Sequence, residues 1–526
     1  MYRNFFSVSG IMLLSRLAGF LRDVMVSAFI GAGMMGDAFA VAIRLPSHFR
    51  AIFGEGAFNA AYVPTYLRVY ERSDIWAARH FANQIFTLLV MSQIVTLALG
   101  WIYMPALVHL LAPGFSAEPE KFALAVKLTR ITFPYLFCVT LVTLHSGTLN
   151  AHNKFAVPAF AQVLFNLVIM AFLAVSFIFP NAAFAAAAGV TASGFAQLAL
   201  LTFSARRLHL MEKFARPEPT ADVRAFFRMF GPAVIGSAGV QIAMFADTII
   251  GSMLPTGGLS SIYYADRLYL LPVGLVGVAA GTVLLPEMSR CFAREDWAGA
   301  FTAQNRTLAM TLTLTAPFAV AFLFIPELIV GALFQHGAFH AADTAATAAV
   351  LRAYGYGLPA VVAINALRSG FQAMGDTRTP MMVSLAALVV NLLLKIVLYK
   401  PLGAAGIALA TSANAWINLA ALAVIGARRF LFQPDAVLKG VAMAAATSAV
   451  LLANVVLGLE GPINALGHRL GAFGGLIALA LLGTVGAAVY AGAILVGCRA
   501  LGVTAAQMGL GRRTRRENSP GAEKSS

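Results

Sequence analysis

Residues 470–498, LGAFGGLIALALLGTVGAAVYAGAILVGC, form a run of 29 residues without a single charged side chain. An α-helix rises 1.5 Å per residue, so about 20 apolar residues are enough to cross the ~30 Å hydrocarbon core of a bilayer. Comparable runs recur along the chain and number about fourteen. They are continuous rather than alternating, which excludes a transmembrane β-barrel. The sequence therefore predicts an all-α polytopic membrane protein.

The composition of the whole chain agrees with this fold class. Of the 526 residues, 60% are hydrophobic and 11% are charged, whereas a soluble domain carries about 25% charged residues. A water-soluble fold is excluded. The predicted membrane spans are residues 5–30, 37–66, 80–111, 122–150, 158–180, 183–205, 229–254, 258–288, 307–334, 344–374, 380–399, 404–427, 440–458 and 470–498.

The net charge of +15 follows from the topology of the chain. Most of the 37 Lys and Arg residues fall in predicted loops on one side of the membrane, including the segments 206–228, 290–306 and 512–516. The positive-inside rule places that side in the cytoplasm. Both termini are then cytoplasmic, which requires an even number of spans and agrees with fourteen. A nucleic-acid partner is not needed to explain the basic residues.

An internal repeat divides the chain. Arg44, Pro64 and Asp74 recur, at an offset of about 220 residues, as Arg267, Pro286 and Asp296. Six spans therefore repeat as six more in the same orientation, which predicts two lobes related by a pseudo-two-fold axis along the membrane normal. The predicted parts are an N-lobe (1–210), a cytoplasmic linker (211–228), a C-lobe (229–432), two C-terminal helices (433–500) and a basic, disordered cytoplasmic tail (501–526).

The first span carries charges at membrane depth. Arg16 lies eleven residues after Phe5, about 16 Å along a helix and so near the middle of the hydrocarbon core. A spacing of seven residues places Ser15 over Arg22 and Arg16 over Asp23. One face of this helix is therefore polar and cationic.

Two other spans add charges to this set. The second span contains Asp37, Arg44, Arg50 and Glu55, and the eighth contains Asp266 and Arg267. Pro46, Gly54 and Gly56 predict that the second span departs from a regular helix where it lines a cavity.

The five arginines among these residues predict a binding site for an anion. Each arginine at bilayer depth costs about 2.5 to 3.5 kcal/mol, so several of them facing lipid are excluded and a hydrated interior is expected. Guanidinium groups bind phosphate oxygens through paired hydrogen bonds, which favours a phosphate-bearing substrate over a cationic drug. The alternative is that the four carboxylates neutralise the arginines as ties between helices.

Several further residues receive weaker interpretations. Asp247, in the seventh span, is either a ligand of a coupling cation or a hydrogen-bonded helix contact. His336 and His340 are four residues apart, but their loop position and Gly337 make a metal site improbable, so no metal is predicted. The last two spans, which include the uncharged run quoted above, either line an apolar groove for a lipid tail or simply face lipid.

Several motifs along the chain are specific as a set. They are residues 15–23 (SRLAGFLRD), 31–39, 45–58, 112–115 (APGF), 133–135 (FPY), 263–268 (YYADRL) and 281–286. With these motifs the sequence resembles the MurJ (MviN) family of lipid II flippases, and the resemblance covers nearly all of the chain. It implies the multidrug/oligosaccharidyl-lipid/polysaccharide exporter superfamily, a multi-pass protein of the bacterial cytoplasmic membrane, and alternating access without a covalent step. The implied substrate is an undecaprenyl-pyrophosphate-linked peptidoglycan precursor. The cavity arginines implied by the motifs are Arg16, Arg22, Arg50 and Arg267, supported by Ser15, Asp23 and Asp37.

The same resemblance leaves the energy source open. Family members with a cation site use the seventh and eleventh spans, for which this chain offers only Asp247 and Asp376. No cofactor is expected, and coupling to a monovalent cation or to the membrane potential remains open. The expected partners are the lipid substrate, membrane lipids and cell-wall synthesis proteins, and the chain is expected to be a monomer. The rival functions are a flippase for another polyprenyl-linked glycan, a cation-coupled drug exporter, and a non-transporting scaffold for cell-wall synthesis.

Overall fold

All regular secondary structure is helical in the part of the chain that the computed structural model describes, which is residues 2–50, 57–469 and 474–502. The helices are α1 (Tyr2–Ile30), α2 (Met34–Arg50), α3 (Ala57–Arg72), α4 (Ile75–Ile102), α5 (Met104–Leu111), α6 (Pro119–Thr132), α7 (Tyr135–Ala151), α8 (Ala156–Ala174), α9 (Ala182–Arg207), α10 (Ala221–Ser252), α11 (Gly258–Pro272), α12 (Val278–Ala293), α13 (Trp297–Phe324), α14 (Pro326–Phe334), α15 (Ala341–Ala373), α16 (Arg378–Arg428), α17 (Ala436–Arg469) and α18 (Gly474–Ala500). This confirms the predicted fold class.

Ten helices in the described residues are long and apolar enough to cross a membrane. They cover eleven of the predicted spans, because α16 contains both 380–399 and 404–427. The spans 5–30, 37–66 and 229–254 are not among them. The span 5–30 carries the charges at Arg16, Arg22 and Asp23, which lower its mean hydropathy. The described residues of the span 37–66 fall in α2 (17 residues) and α3 (16 residues), each shorter than the ~20 residues that cross a bilayer. Fourteen crossings stay a prediction.

Helix α16 bends at one residue. Gly403 has φ 58° and ψ −137°, a backbone conformation outside the helical region that residues with a Cβ atom rarely adopt. This glycine separates the two spans predicted on either side of it, and Pro401 lies two residues before it.

The break expected at Pro46 is wrong, because α2 continues through this proline to Arg50. A proline inside a helix leaves the carbonyl four residues earlier without its backbone donor. Here that carbonyl belongs to Ala42, and it accepts a hydrogen bond of 2.7 Å from the hydroxyl of Thr132 in α6. The neighbouring helix therefore satisfies the group that the proline frees. Gly54 and Gly56 lie outside the described residues.

Two equivalent positions of the predicted repeat have the same local structure. The side chain of Asp74 caps α4 by accepting a hydrogen bond of 2.7 Å from the backbone N–H of Ala77. Asp296 caps α13 in the same way, with 2.8 Å to the N–H of Gly299. A carboxylate at this position satisfies a backbone donor that the first turn leaves without a partner.

The chain divides into two compact units. Unit 1 comprises Met1–Leu268, Glu327–Ala353 and Leu388–Thr411, and unit 2 comprises Tyr269–Pro326, Tyr354–Ala387 and Ser412–Ser526. Unit 1 contains an aromatic core in which Phe58, Tyr62, Tyr66, Phe81 and Phe226 are buried. Unit 2 has an aliphatic core around Leu284, Met288, Leu308, Leu422 and Val441. The predicted lobe boundaries stay a prediction.

Candidate functional site

One buried carboxylate in unit 1 lies between two arginines. Asp23 of α1 accepts hydrogen bonds on Oδ1 from Nε and Nη2 of Arg22, at 3.1 and 2.7 Å. Its Oδ2 lies 3.6 Å from Nε of Arg267 in α11. The second distance is longer than a hydrogen bond, so Arg267 is held by charge attraction and less tightly than Arg22.

Helix α8 fixes the position of Arg22. The amide oxygen of Asn166 accepts a hydrogen bond of 2.9 Å from Nη1 of Arg22, and its Nδ2 donates to the carbonyl of Ser15 at 3.2 Å. The ring of Phe165 lies 5.6 Å from the same guanidinium group. Arg22 is thus buried and bonded to a carboxylate and an amide. It therefore has the arrangement of a tie between helices.

Arg267 is packed differently. Its guanidinium group lies over the ring of Tyr263, 4.5 Å from the centroid, one turn earlier on α11. The hydroxyl of Tyr263 donates to Asp23 at 3.4 Å. The Arg267 side chain remains 35% exposed. The ring orients the guanidinium group, which keeps donors available for a ligand.

Arg16 is the most accessible arginine of this group. It is exposed and makes no ion pair with any residue in the described ranges. Asp23 lies seven residues later on the same face of α1, about 10.5 Å along the axis. Arg22 and Arg267 share the carboxylate of Asp23, and Arg16 has no ion pair in the described residues, so these three arginines and one carboxylate carry an excess of two positive charges.

Arg44 lies in a second polar group. Its Nη1 donates to the hydroxyl of Thr248 in α10 at 3.1 Å, and its Nη2 lies 3.8 Å from Asp266. Asp266 precedes Arg267 on α11, so this group adjoins the first one in sequence. The structure brings Arg44 of the second predicted span and Asp266 of the eighth together, and their roles toward a substrate stay predictions.

Asp37 is buried and fully bonded. It forms an ion pair of 2.9 Å with Lys121 of α6, and both side chains are only 1% exposed. Its oxygens also accept hydrogen bonds from the backbone N–H groups of Gly257 and Ser260, at 2.9 and 2.8 Å, and from the Ser260 hydroxyl. These contacts join α2 to α6 and to the start of α11. Any role of Asp37 toward a substrate stays a prediction.

The remaining predicted residues of the second span are placed only in part. Arg50 is the last residue of α2 and is partly buried. Glu55 lies outside the described residues. Their roles in binding also stay predictions.

The residues considered for a monovalent cation have cationic partners already. The Oδ1 of Asp247 in α10 accepts a hydrogen bond from Nζ of Lys395 in α16. Asp376, between α15 and α16, forms an ion pair of 2.8 Å with Arg429. Hydrogen bonds from the hydroxyl and backbone N–H of Thr379, together with the charge of Arg429, lower the pKa of Asp376. Each of these carboxylates therefore has a basic side chain as a partner, and any role of Asp247 or Asp376 toward a cation stays a prediction.

Sequence reasoning missed three residues that determine this geometry. Asn166, Lys121 and Lys395 each place a polar side chain inside an otherwise apolar or buried helix surface. Lys395 gave a signal, since it is a basic residue within the apolar run NLLLKIV (391–397). A lone asparagine gives a weaker signal, because Arg22 and Ser15, which Asn166 contacts on α1, are more than 140 residues away in the chain.

An apolar groove of about 550 Å³ lies within unit 2. Its lining comes mainly from small and aliphatic residues of α13 and α17, with Pro359 of α15. Helix α17 is the thirteenth predicted span. Helix α18 does not contribute to the lining. The groove is therefore formed by α17 together with α13, the ninth predicted span, and not together with α18, the fourteenth.

Comparison with known proteins identifies the family. Residues 26–468 match the family described as "Lipid II flippase MurJ". A protein from Rhizobium meliloti (strain 1021), named "Probable lipid II flippase MurJ", is 39% identical over 422 residues, which cover 79% of this chain and 78% of that protein.

Two solved structures show the same fold. The structure described as "Lipid II flippase MurJ, inward closed conformation" has a TM-score of 0.76 and 25% identity, covering 94% of this chain and 99% of that one. An inward-facing multidrug resistance transporter of the MATE family and MOP superfamily has a TM-score of 0.65 at 14% identity, covering 81% of this chain and 97% of that one. The second shows the fold alone. The chain belongs to the MurJ family of lipid II flippases, which are membrane transporters and not enzymes.

Proposed function

We propose that this chain moves lipid II, the undecaprenyl-pyrophosphate-linked peptidoglycan precursor, from the inner to the outer leaflet of the bacterial cytoplasmic membrane. Family membership supports the substrate. The observation that carries the proposal is the charge imbalance at Asp23, where one carboxylate faces Arg22 and Arg267 while Arg16 has no partner in the described residues. A pyrophosphate diester supplies the missing negative charge.

The three arginines have different roles in this proposal. Arg16 and Arg267 are accessible and bind the pyrophosphate oxygens directly. Arg22 is held by Asp23 and Asn166, and its charge contributes to a positive electrostatic potential at the site. Binding of the anion then neutralises the excess charge, which reduces the repulsion that opposes closure of the protein around the substrate.

Transport follows an alternating-access cycle without a covalent step. The anionic group is bound from the cytoplasmic side and released on the outer side. A membrane potential that is negative inside favours outward movement of an anion, by about 2.3 kcal/mol per charge at 100 mV. Both termini lie in the cytoplasm in this scheme, which the predicted distribution of basic loops supports.

The prenyl tail remains in apolar surroundings during transport. The groove of unit 2 between α13 and α17 is a suitable location, because its lining is almost entirely aliphatic. A chain of isoprene units contacts such a surface without leaving a polar group unpaired.

A test of the function uses depletion of the protein in cells, followed by measurement of the leaflet in which the lipid-linked precursor is accessible. We expect the precursor to accumulate on the cytoplasmic side, and re-expression of the native chain to restore its exposure outside. Unchanged exposure on the outer side would contradict the proposal. Accumulation of a different polyprenyl-linked glycan would identify the rival flippase function.

A further inference from the structure

An ion pair between α10 and α16 lies inside unit 1. Lys395 belongs to the part of α16 before Gly403, and its side chain is 2% exposed. Asp247 is 37% exposed, and its Oδ1 accepts a hydrogen bond from the Lys395 ammonium group. Both residues occupy predicted membrane spans, where an isolated charge is costly. Each side chain therefore compensates the other.

The ammonium group of Lys395 already supplies at Asp247 the positive charge that an alkali cation would bring. Sodium and potassium bind through oxygen ligands, and this carboxylate is the acidic group that the seventh span offers. A lysine ammonium is a compact point charge with three donors and no acceptor. A free cation beside Asp247 would put two positive charges against one carboxylate within a predicted membrane span. It would also have to compete with an ammonium group that is tethered to the same protein.

The pair is linked to the arginine site through α10. Thr248, the residue after Asp247, accepts the hydrogen bond from Arg44, and Arg44 lies 3.8 Å from Asp266. Asp266 in turn precedes Arg267. Asp247 is therefore next to the residue of α10 that accepts the hydrogen bond from Arg44. A change in the charge of Asp247 acts on the helix turn that positions Arg44.

We propose that Lys395 is the resident counter-cation of Asp247, so that the transport cycle of this chain runs with no free alkali cation bound at Asp247. The transport readout of this inference rests on the proposed function. The cation-binding readout does not, because it needs no lipid substrate. Lys395 is a positioning residue here, since it acts through Asp247 and α10.

The first experiment measures the melting temperature of the purified full-length protein in detergent while NaCl, LiCl or KCl replaces choline chloride at constant ionic strength. We expect the native protein to show the same melting temperature in all four salts. A saturable rise with one alkali cation that Asp247→Asn abolishes would overturn the proposal. This result stands whether or not the protein moves lipid II.

The second experiment measures lipid II translocation by vesicles that contain the native protein or Lys395→Met, with choline as the only added cation. Native vesicles are expected to be fully active. Translocation by Lys395→Met is expected to fall about tenfold or more, since a charge at membrane depth loses its partner. Lys400→Met, at an exposed lysine of the same helix, is the matched control and should keep the native rate.

Replacement of the missing charge distinguishes a counter-cation from a packing role. Methylammonium or a small alkali cation is expected to restore at least part of the rate of Lys395→Met, and Lys395→Arg should remain active without them. Lys395→Met that transports at the native rate in choline would overturn the proposal, as would a rate that no added cation restores in a protein with the native melting temperature.

If Lys395→Met fails to fold, the charge exchange Asp247→Lys with Lys395→Asp provides the test, and its activity in choline must equal or approach that of the native protein. Inactivity of the native vesicles themselves would instead contradict the proposed function.

Discussion

Replacement of Arg267 by alanine is expected to abolish lipid II translocation while the protein still folds. The guanidinium group is partly exposed, lies over Tyr263, and is 3.6 Å from Asp23, so it has donors to offer to a phosphate. In the complex, the contact between Arg267 and a phosphate oxygen is a charge pair that the substrate covers. Loss of one partner of such a pair costs about 2 to 5 kcal/mol, which corresponds to a loss of about 30-fold or more in affinity. The affinity of purified protein for lipid II measures this effect directly.

The same measurement separates charge from geometry. Arg267→Lys keeps the charge but loses the planar fork that binds two phosphate oxygens, so we expect an affinity between those of the native protein and Arg267→Ala. Arg352→Ala is the control, because Arg352 forms an exposed pair with Glu327 and such pairs contribute little. Native affinity in Arg267→Ala would show that this arginine does not bind the substrate.

Replacement of Lys121 by methionine is expected to lower the stability of the protein strongly. Lys121 and Asp37 are both 1% exposed and form an ion pair of 2.9 Å. Removing one partner of a buried pair costs about 3 to 5 kcal/mol, because the remaining charge stays buried without compensation. Asp37 keeps hydrogen bonds from Gly257 and Ser260, which places the expected loss toward the lower end of that range. The melting temperature of the detergent-solubilised protein measures it.

Two further variants identify the cause of this loss. Lys127→Met changes an exposed lysine of the same helix and should leave the melting temperature nearly unchanged. The double variant Asp37→Asn with Lys121→Met removes both charges and should recover part of the stability. Equal melting temperatures for Lys121→Met and Lys127→Met would show that the pair does not stabilise the protein.

The helical fold was predictable because its signal is local. A run such as residues 470–498 has no alternative to a buried or membrane-spanning helix, and α18 (Gly474–Ala500) covers nearly the same stretch. The repeat was visible for a similar reason, since Asp74 and Asp296 each cap the helix that follows them. The exception at Pro46 depends on Thr132, 86 residues away, and no local pattern contains that contact.

The site was predictable in its residue types but not in its pairings. Helical spacing placed Arg16 over Asp23 on one face of α1, and the structure has both on a single regular helix. Spacing does not reveal that Arg267 shares Asp23 with Arg22, or that Asn166 holds Arg22, because these contacts join distant segments. The pairing of Lys395 with Asp247 is of the same kind.

The pairings change the interpretation of individual arginines. The alternative that the arginines act as ties between helices describes Arg22 well, and Arg44 in part, since each has polar partners on other helices. It does not describe Arg16, which is exposed. The proposed binding role therefore rests on Arg16 and Arg267, and a structural contribution is expected from the other two.

The most direct test of the account is translocation of lipid II by purified protein in vesicles whose inner leaflet alone contains the labelled lipid. We expect the native chain to bring the label to the outer leaflet. For the double variant Arg16→Ala with Arg267→Ala, at equal melting temperature and equal protein content, we expect the label to reach the outer leaflet no faster than in protein-free vesicles. Transfer by the double variant at the native rate would contradict the claim that uncompensated guanidinium groups bind the pyrophosphate.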